Sequence, residues 1–168
     1  MSAKTSLQHV DRTKIRTEWE AMRNEYHTLV DSIPPTAFRH STIDTRWTIA
    51  EILTHMVQTI ELMPRAIKSL RRGKDFINLP NMIVESTNFF LVKMIALNIT
   101  PKTLLTRYDQ AFDIAMQVWD RVDDDEWDKG ACYLGEGYKT LADYYKNALA
   151  HFDEHAAQIR KSLNSTER

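Results

Sequence analysis

Apolar residues recur at steps of three and four along almost the whole of this chain, the period of one face of an α-helix. In the first stretch Ile15, Trp19, Met22, Tyr26, Leu29 and Ile33 share such a face. Pro34-Pro35 ends it, because neither residue can donate the next backbone hydrogen bond. The second stretch opens on a capping box, Thr48 with Glu51 three residues later, flanked by Trp47 and Ile52 at the two positions of a hydrophobic staple. Its stripe runs through Ile49, Ile52/Leu53, Met56, Ile60, Met63, Ile67 and Leu70, and Pro64 falls inside it, where a kink is expected. Arg71-Arg72-Gly73 suits its end. Thr100-Pro101 caps a third stripe through Leu104, Tyr108, Phe112, Ala115, Trp119 and Val122. Thr140 with Asp143 opens a fourth, carrying Leu141, Tyr144/Tyr145, Ala148, Phe152, His155, Ile159 and Leu163.

Four long amphipathic stretches with no convincing strand between them predict an all-α four-helix bundle. Residues 74–99 are less regular, but Met82–Leu97 is apolar enough for an additional helical segment between the second and third long helices. Such a segment would cover one mouth of the bundle or meet a partner. Asp123 to Gly137 reads as a connecting loop. At 168 residues, with no linker, repeat or low-complexity tract, a single domain over 11–163 is expected, with 1–10 and 164–168 as flexible tails.

Composition narrows the function classes. Lys and Arg number 22 against 23 Asp and Glu, so the broad positive field of backbone-led nucleic-acid binding is missing and no nucleic-acid partner is expected. Four scattered glycines, with neither G-x-G-x-x-G nor G-x-x-x-x-G-K, leave no phosphate-cradling loop. Cys132 stands alone, which removes an intrachain disulfide and a thiolate zinc cluster. Met1 to Val10 lacks the apolar centre of a signal peptide. Phe89–Leu97, the most apolar run, is about half a membrane span and carries Lys93. A cytoplasmic chain with no membrane contact is expected.

The candidate chemistry lies in histidine. His151 and His155, four apart on a helix, stack one turn above the other and can chelate one ion. At about 100° per residue they fall roughly 40–80° from the centre of their stripe, where an unpaired imidazole is costly unless something binds it. Two core histidines hydrogen-bonded to neighbours would satisfy the same pattern. A third ligand must come from another helix, and His55 is the best placed, although it sits roughly 120° from the middle of its own stripe. Glu51, four residues before His55, either orients that imidazole from behind or serves only the capping box. His9, His27 and His40 fall near an end, on a polar face and in a connection respectively.

Two motifs then resemble those of a known family. Trp47-Thr-Ile-Ala-Glu51-Ile-Leu-Thr-His55-Met is similar to the W-[ST]-x-x-E-x-x-x-H-[LM] opening of the second helix in the DinB-like (YfiT-like) metalloenzyme superfamily. His151-Phe-Asp-Glu-His155-Ala-Ala-Gln158-Ile159 is similar to its closing H-x-x-x-H-x-x-[QH]-[IL]. The resemblance implies a four-helix bundle in which His55, His151 and His155 hold a divalent ion. It also implies a choice of activities, since relatives include thiol-dependent S-transferases, isomerases of the maleylpyruvate type and toxin-inactivating hydrolases. His151 to His155 also spells the inverted zinc-peptidase motif H-x-x-E-H, but only 13 residues follow, too few for that group's distant third ligand.

Three neutral imidazoles would leave a coordination position open, as in catalytic rather than structural sites. All-nitrogen ligation suits Zn, Ni, Fe or Co over Mg and Ca. An open position activates a water for hydrolysis or a low-molecular-weight thiol for S-transfer equally well. The expectation is therefore a metal-dependent transferase or hydrolase acting on a small electrophilic molecule, of a stress or detoxification type, with a homodimer allowed. No catalytic base is assigned. Glu51, Tyr108 and Asp109 are the acid–base candidates, and Cys132 sits in a loop. The alternatives are a metal-binding bundle without turnover and a metal-free interaction module working through Phe89–Leu97.

Overall fold

Helix α1 (Arg12–Asp31) starts where the Asp11 carboxylate accepts from the amides of Thr13 and Lys14, and the chain leaves it just before Pro34-Pro35. A computed structural model describes residues 11–43, 46–77, 79–135 and 137–166. Helix α2 (Ile49–Arg71) carries the expected capping box in full. The Thr48 hydroxyl accepts from the Glu51 amide at 3.3 Å, and the Glu51 carboxylate accepts from the Thr48 amide at 2.7 Å. The helix continues through Pro64. It closes at Gly73, whose φ of +62° lets Gly73 and Lys74 donate back to the carbonyls of Leu70 and Ser69.

After α2 the chain forms a shorter α3 (Asn81–Ala96), then α4 (Pro101–Trp119) capped by Thr100 with Pro101 in its first turn. Helix α5 (Leu141–Thr166) opens as expected, with Thr140 and Asp143 hydrogen-bonded to each other's amide and side chain. It runs three residues beyond the domain edge drawn from its apolar stripe. Of the segments expected to be tails, 1–10 and 167–168 lie outside the described residues.

One difference from expectation falls in the connection before α5. Two three-residue strands, β1 (Gly130–Cys132) and β2 (Tyr138–Thr140), pair antiparallel with Ala131 opposite Lys139. Three residues are too few to display a two-residue period, so only the pairing reveals them. Gly130 is required there, since a Cβ would stand 2.1 Å from the Lys139 carbonyl oxygen.

The core lies between α1, α2, α4 and α5. Trp19, Tyr26 and Leu29 meet Leu53, Met63 and Ile67 of α2, Leu104, Tyr108 and Phe112 of α4, and Ile159 of α5, all essentially fully buried. Each such aliphatic side chain contributes about 1.5–3 kcal/mol. The Tyr26 and Tyr108 rings stack 3.9 Å apart and only 5° from parallel. The Tyr26 hydroxyl donates to the Leu53 carbonyl at 3.2 Å, tying α1 to the turn of α2 that precedes His55.

Helix α3 packs on the outside of α2. Of its side chains Val92 and Ala96 are buried, whereas Met82 and Phe90 are 76% and 68% exposed. Polar ties help hold it. Lys93 pairs with Glu51 at 3.0 Å, and Arg39 donates to the Ile99 carbonyl at 2.8 Å just beyond its C-terminus. Among the described residues no helix is long and apolar enough to cross a membrane.

The connection after α4 is fixed by Glu126, a buried carboxylate paired with Arg71 and, at 3.1 Å, with Lys129. The Arg71 guanidinium, chief among its partners, lowers the Glu126 carboxyl from 4.5 to about 2. A carboxyl titrating lower in the folded than in the unfolded chain stabilises the fold fully above the unfolded value, and that contribution is lost as pH falls through the folded one. Glu126→Gln is therefore expected to cost about 2 kcal/mol near neutral pH. In thermal unfolding the gap to wild type should close between pH 4.5 and about 2; a gap independent of pH would contradict the role given to this carboxylate.

Candidate metal centre

The packing of α2 against α5 brings His55 across from His151 and His155. One ring nitrogen of each lies within 4.8 Å of the other two. Ring centroids are 5.0 Å apart for His55 and His151, 5.1 Å for His55 and His155, and 4.4 Å for His151 and His155. Every pair is within 10° of perpendicular, at 81°, 90° and 82°. His55 stands on the flank of its helix, as its sequence position implies, and that flank faces the turn of α5 bearing the other two. Phe152 and Ala156, next in sequence to those two, are buried in the core and fix the rotation of α5.

Each ring is oriented by its other contacts. The His155 Nδ1 lies 3.2 Å from the Gln158 Oε1, which can only accept, so Nδ1 carries the proton and Nε2 presents a lone pair. That Nε2 is shielded from solvent and has no hydrogen-bond partner among the described residues. The Asn88 amide nitrogen of α3 lies 3.3 Å from His55 Nδ1, and His55 Nε2 lies 2.9 Å from His151 Nε2. Asn88 thus donates to His55, and His55 donates to His151. Behind His55, the Trp47 indole packs at 4.8 Å between ring centroids.

Burial disfavours the charged imidazolium. It lowers His55 from 6.5 to about 3, helped by the neighbouring His151 and His155, and lowers His151 to about 4 with His155 contributing. Both are therefore neutral across the physiological range, the state in which imidazole binds a metal.

The other sequence candidates have partners elsewhere. Glu51 gives one oxygen to the Thr48 amide and the other to Lys93, and Asn88 takes the place beside His55 Nδ1. Asp109 binds Arg23 and His27, each at 2.9 Å. Tyr108 is buried in the stack with Tyr26. The Cys132 amide donates to Asp75 in the hairpin. Residues that the sequence reading did not single out, Arg46, Glu85 and Asn88, stand before the histidines on the loop preceding α2 and on α3. They help line a cavity of about 880 Å³ that also has Trp47, Phe89, Phe90 and His155 in its lining. No periodic signal marks Glu85 or Asn88, because α3 buries too little to impose one, and Arg46 lies outside the helices.

The fold and these side chains define a helical bundle with a convergent three-histidine pocket. The chain belongs to the DinB superfamily, whose family model matches residues 18–159. No curated protein matches the sequence. Solved structures share the fold at low identity. The mycothiol-dependent maleylpyruvate isomerase has a TM-score of 0.71 and 10% identity, over 92% of this chain and 63% of that one. The sibling lethal factor precursor DfsB has 0.72 and 12%, over 96% and 99%. The colibactin self-resistance protein ClbS, in complex with double-stranded DNA, has 0.67 and 13%, over 89% and 94%. The present chain thus spans less than two thirds of the isomerase it matches. ClbS is complexed with duplex DNA, so the fold lends no support to the expectation of no nucleic-acid partner. Net charge reports a long-range field, and a bundle of this fold meets duplex DNA.

Near pH 8, long-range proton–nitrogen spectra of metal-free protein should show His155 in the Nδ1–H form, with Gln158→Leu relaxing that preference. An Nε2–H form in the wild type would contradict the geometry.

Proposed function

We propose that His55, His151 and His155 hold one divalent transition-metal ion, of the Zn, Ni, Fe or Co type, and that the protein is a cytoplasmic metal-dependent enzyme acting on a small electrophilic molecule. The reaction class is thiol transfer, with a low-molecular-weight thiol as co-substrate, or hydrolysis, in a stress or detoxification role. One observation carries this reading. Three imidazoles from two helices bring ring nitrogens within 4.8 Å of one another, and the His155 Nε2 there is buried with no hydrogen-bond partner among the described residues. In a tetrahedral zinc site, bonds of about 2.0–2.1 Å put ligand nitrogens roughly 3.3 Å apart. The facing Nε2 atoms of His55 and His151, at 2.9 Å, need only a small separation to reach that.

When bound, such an ion would supply positive charge and an open position at which a water or thiol loses its proton more readily. The chain's own residues prepare that position. Gln158 keeps the proton of His155 on Nδ1, away from the ligand nitrogen. For His55 to ligate through Nε2, its proton must sit on Nδ1. Asn88 accommodates this by turning its amide so that the oxygen accepts where the nitrogen now donates. Trp47 and Phe89, stacked at 6.2 Å, screen one side of the pocket from water.

A second reading, a helical module that binds a partner or a second copy through α3, is favoured by the exposure of Met82, Phe90 and Met94 on that helix and of Leu97 at its C-cap. Metal analysis separates the two. His151→Ala and His155→Ala should each abolish stoichiometric metal binding with far-UV circular dichroism still helical, while His27→Ala, bonded to Asp109, keeps it. Retention of one ion per chain in both variants would overturn the assignment. Zinc-loaded protein given 1-chloro-2,4-dinitrobenzene and cysteine should turn over and stop with chelator; metal bound without turnover, on this or hydrolysable electrophiles, would leave only the binding role.

A further inference from the structure

The cavity before the histidines is not chemically uniform. Two of its aromatic rings, Trp47 and Phe89, pack on each other at 6.2 Å and 19°, so they offer an entering molecule their outer edges, with Phe90 beside them. Arg46 stands at its edge, exposed, with the guanidinium carbon 5.5 Å from the Phe89 ring centroid. Arg23, Arg71 and Arg107 each pair with a carboxylate, but among the described residues no carboxylate lies within ion-pair distance of Arg46. Its planar donors are left for something that enters. Glu85 is the carboxylate that lines the same cavity, and Ser86 adds a hydroxyl.

These groups select among ligand classes. A cation meets Arg46, and the Phe89 ring that would attract it is already engaged by Arg46 and, at 4.9 Å, by Lys93. A dianion gains Arg46 but brings a second negative charge into a space shared with Glu85, where like charges are costly. A neutral flat molecule would use the walls and leave the guanidinium unsatisfied. A flat monoanion uses both, setting its body against Phe90 and the outer edges of Trp47 and Phe89 and placing its carboxylate on the planar fork of the arginine. The cavity is within the size range that holds such small molecules, about 300–1,000 Å³.

We propose that this cavity selects an organic monoanion with a flat apolar body, its carboxylate held by Arg46 and its body lying against Trp47, Phe89 and Phe90 with the far end towards His155. The proposal rests on the reading of the histidines as the reacting centre, because it takes the ligand to be the substrate class of that site. Arg46 is thereby a specificity-determining residue, distinct from the three histidines.

The test is calorimetric titration of the full-length chain, zinc-loaded and chelator-stripped, with 2-naphthoate, 2-naphthalenemethanol and 2,6-naphthalenedicarboxylate, with metal content measured on the same samples. The expected result is that 2-naphthoate binds about tenfold more tightly than either of the others, that Arg46→Gln removes its advantage over the alcohol, and that the stripped protein keeps the preference. Equal binding of acid and alcohol, or a preference that survives Arg46→Gln, would overturn the proposal. A preference lost on stripping zinc would overturn it too, since the carboxylate would then be held by the ion. Wild type that takes up no zinc yet prefers 2-naphthoate in an Arg46-dependent way contradicts the metal reading and leaves the anion site standing. Stoichiometric zinc without an Arg46-dependent preference does the reverse.

Discussion

The site depends on a balance between packing and desolvation at the contact of α2 with α5. Bringing three imidazoles together away from water costs free energy for each polar nitrogen left unpaired. Two of the six ring nitrogens satisfy each other through His55 and His151, and two are met by Asn88 and Gln158. The His155 Nε2 has no partner among the described residues. The surrounding core offsets that cost. Ile52, Leu53 and Met56 beside His55, and Phe152, Ala156 and Ile159 beside the other two, are buried, and together they exceed a penalty of about 1–3 kcal/mol. A fold that needed only stability would place an apolar side chain at His155. Retaining an imidazole there makes sense when something binds it.

Much of this was legible in the order of residues. The four long helices were, because each buries one face against the same core and a one-sided burial imposes a 3.6-residue period on the sequence. The cap at Thr48 and Glu51 was, because both partners lie within one turn. The histidine pair on α5 was, because spacing of four fixes its geometry locally. His55 was harder to place. A flank position becomes inward-facing only through the neighbour that packs against it, and helix order is not a local property.

What escaped the sequence shares one physical character. Asn88, Arg46 and Glu85 matter through tertiary adjacency, and their own segments carry no pattern that marks them. Helix α3 buries Val92 and Ala96 and exposes most of the rest, so its apolar residues are not confined to one stripe. The hairpin at Gly130–Cys132 and Tyr138–Thr140 is too short for alternation. Glu51 was open to two roles, the cap and a support behind His55. Its two oxygens are engaged by Thr48 and Lys93, so besides capping α2 it anchors α3 to the start of that helix. Through that anchor it helps place Phe89 and Asn88, which face the histidines from α3. Net charge likewise says nothing of local composition. An even balance coexists with a cavity carrying one cation and one carboxylate at its mouth.

The most direct test is X-ray absorption at the metal edge of zinc-loaded protein. Three imidazole rings, with nitrogen at about 2.0–2.1 Å and outer-ring scattering for each, plus a light atom in the open position, is the predicted spectrum. A sulfur shell near 2.3 Å, which Cys132 would supply, or scattering from fewer than three imidazoles would contradict the account.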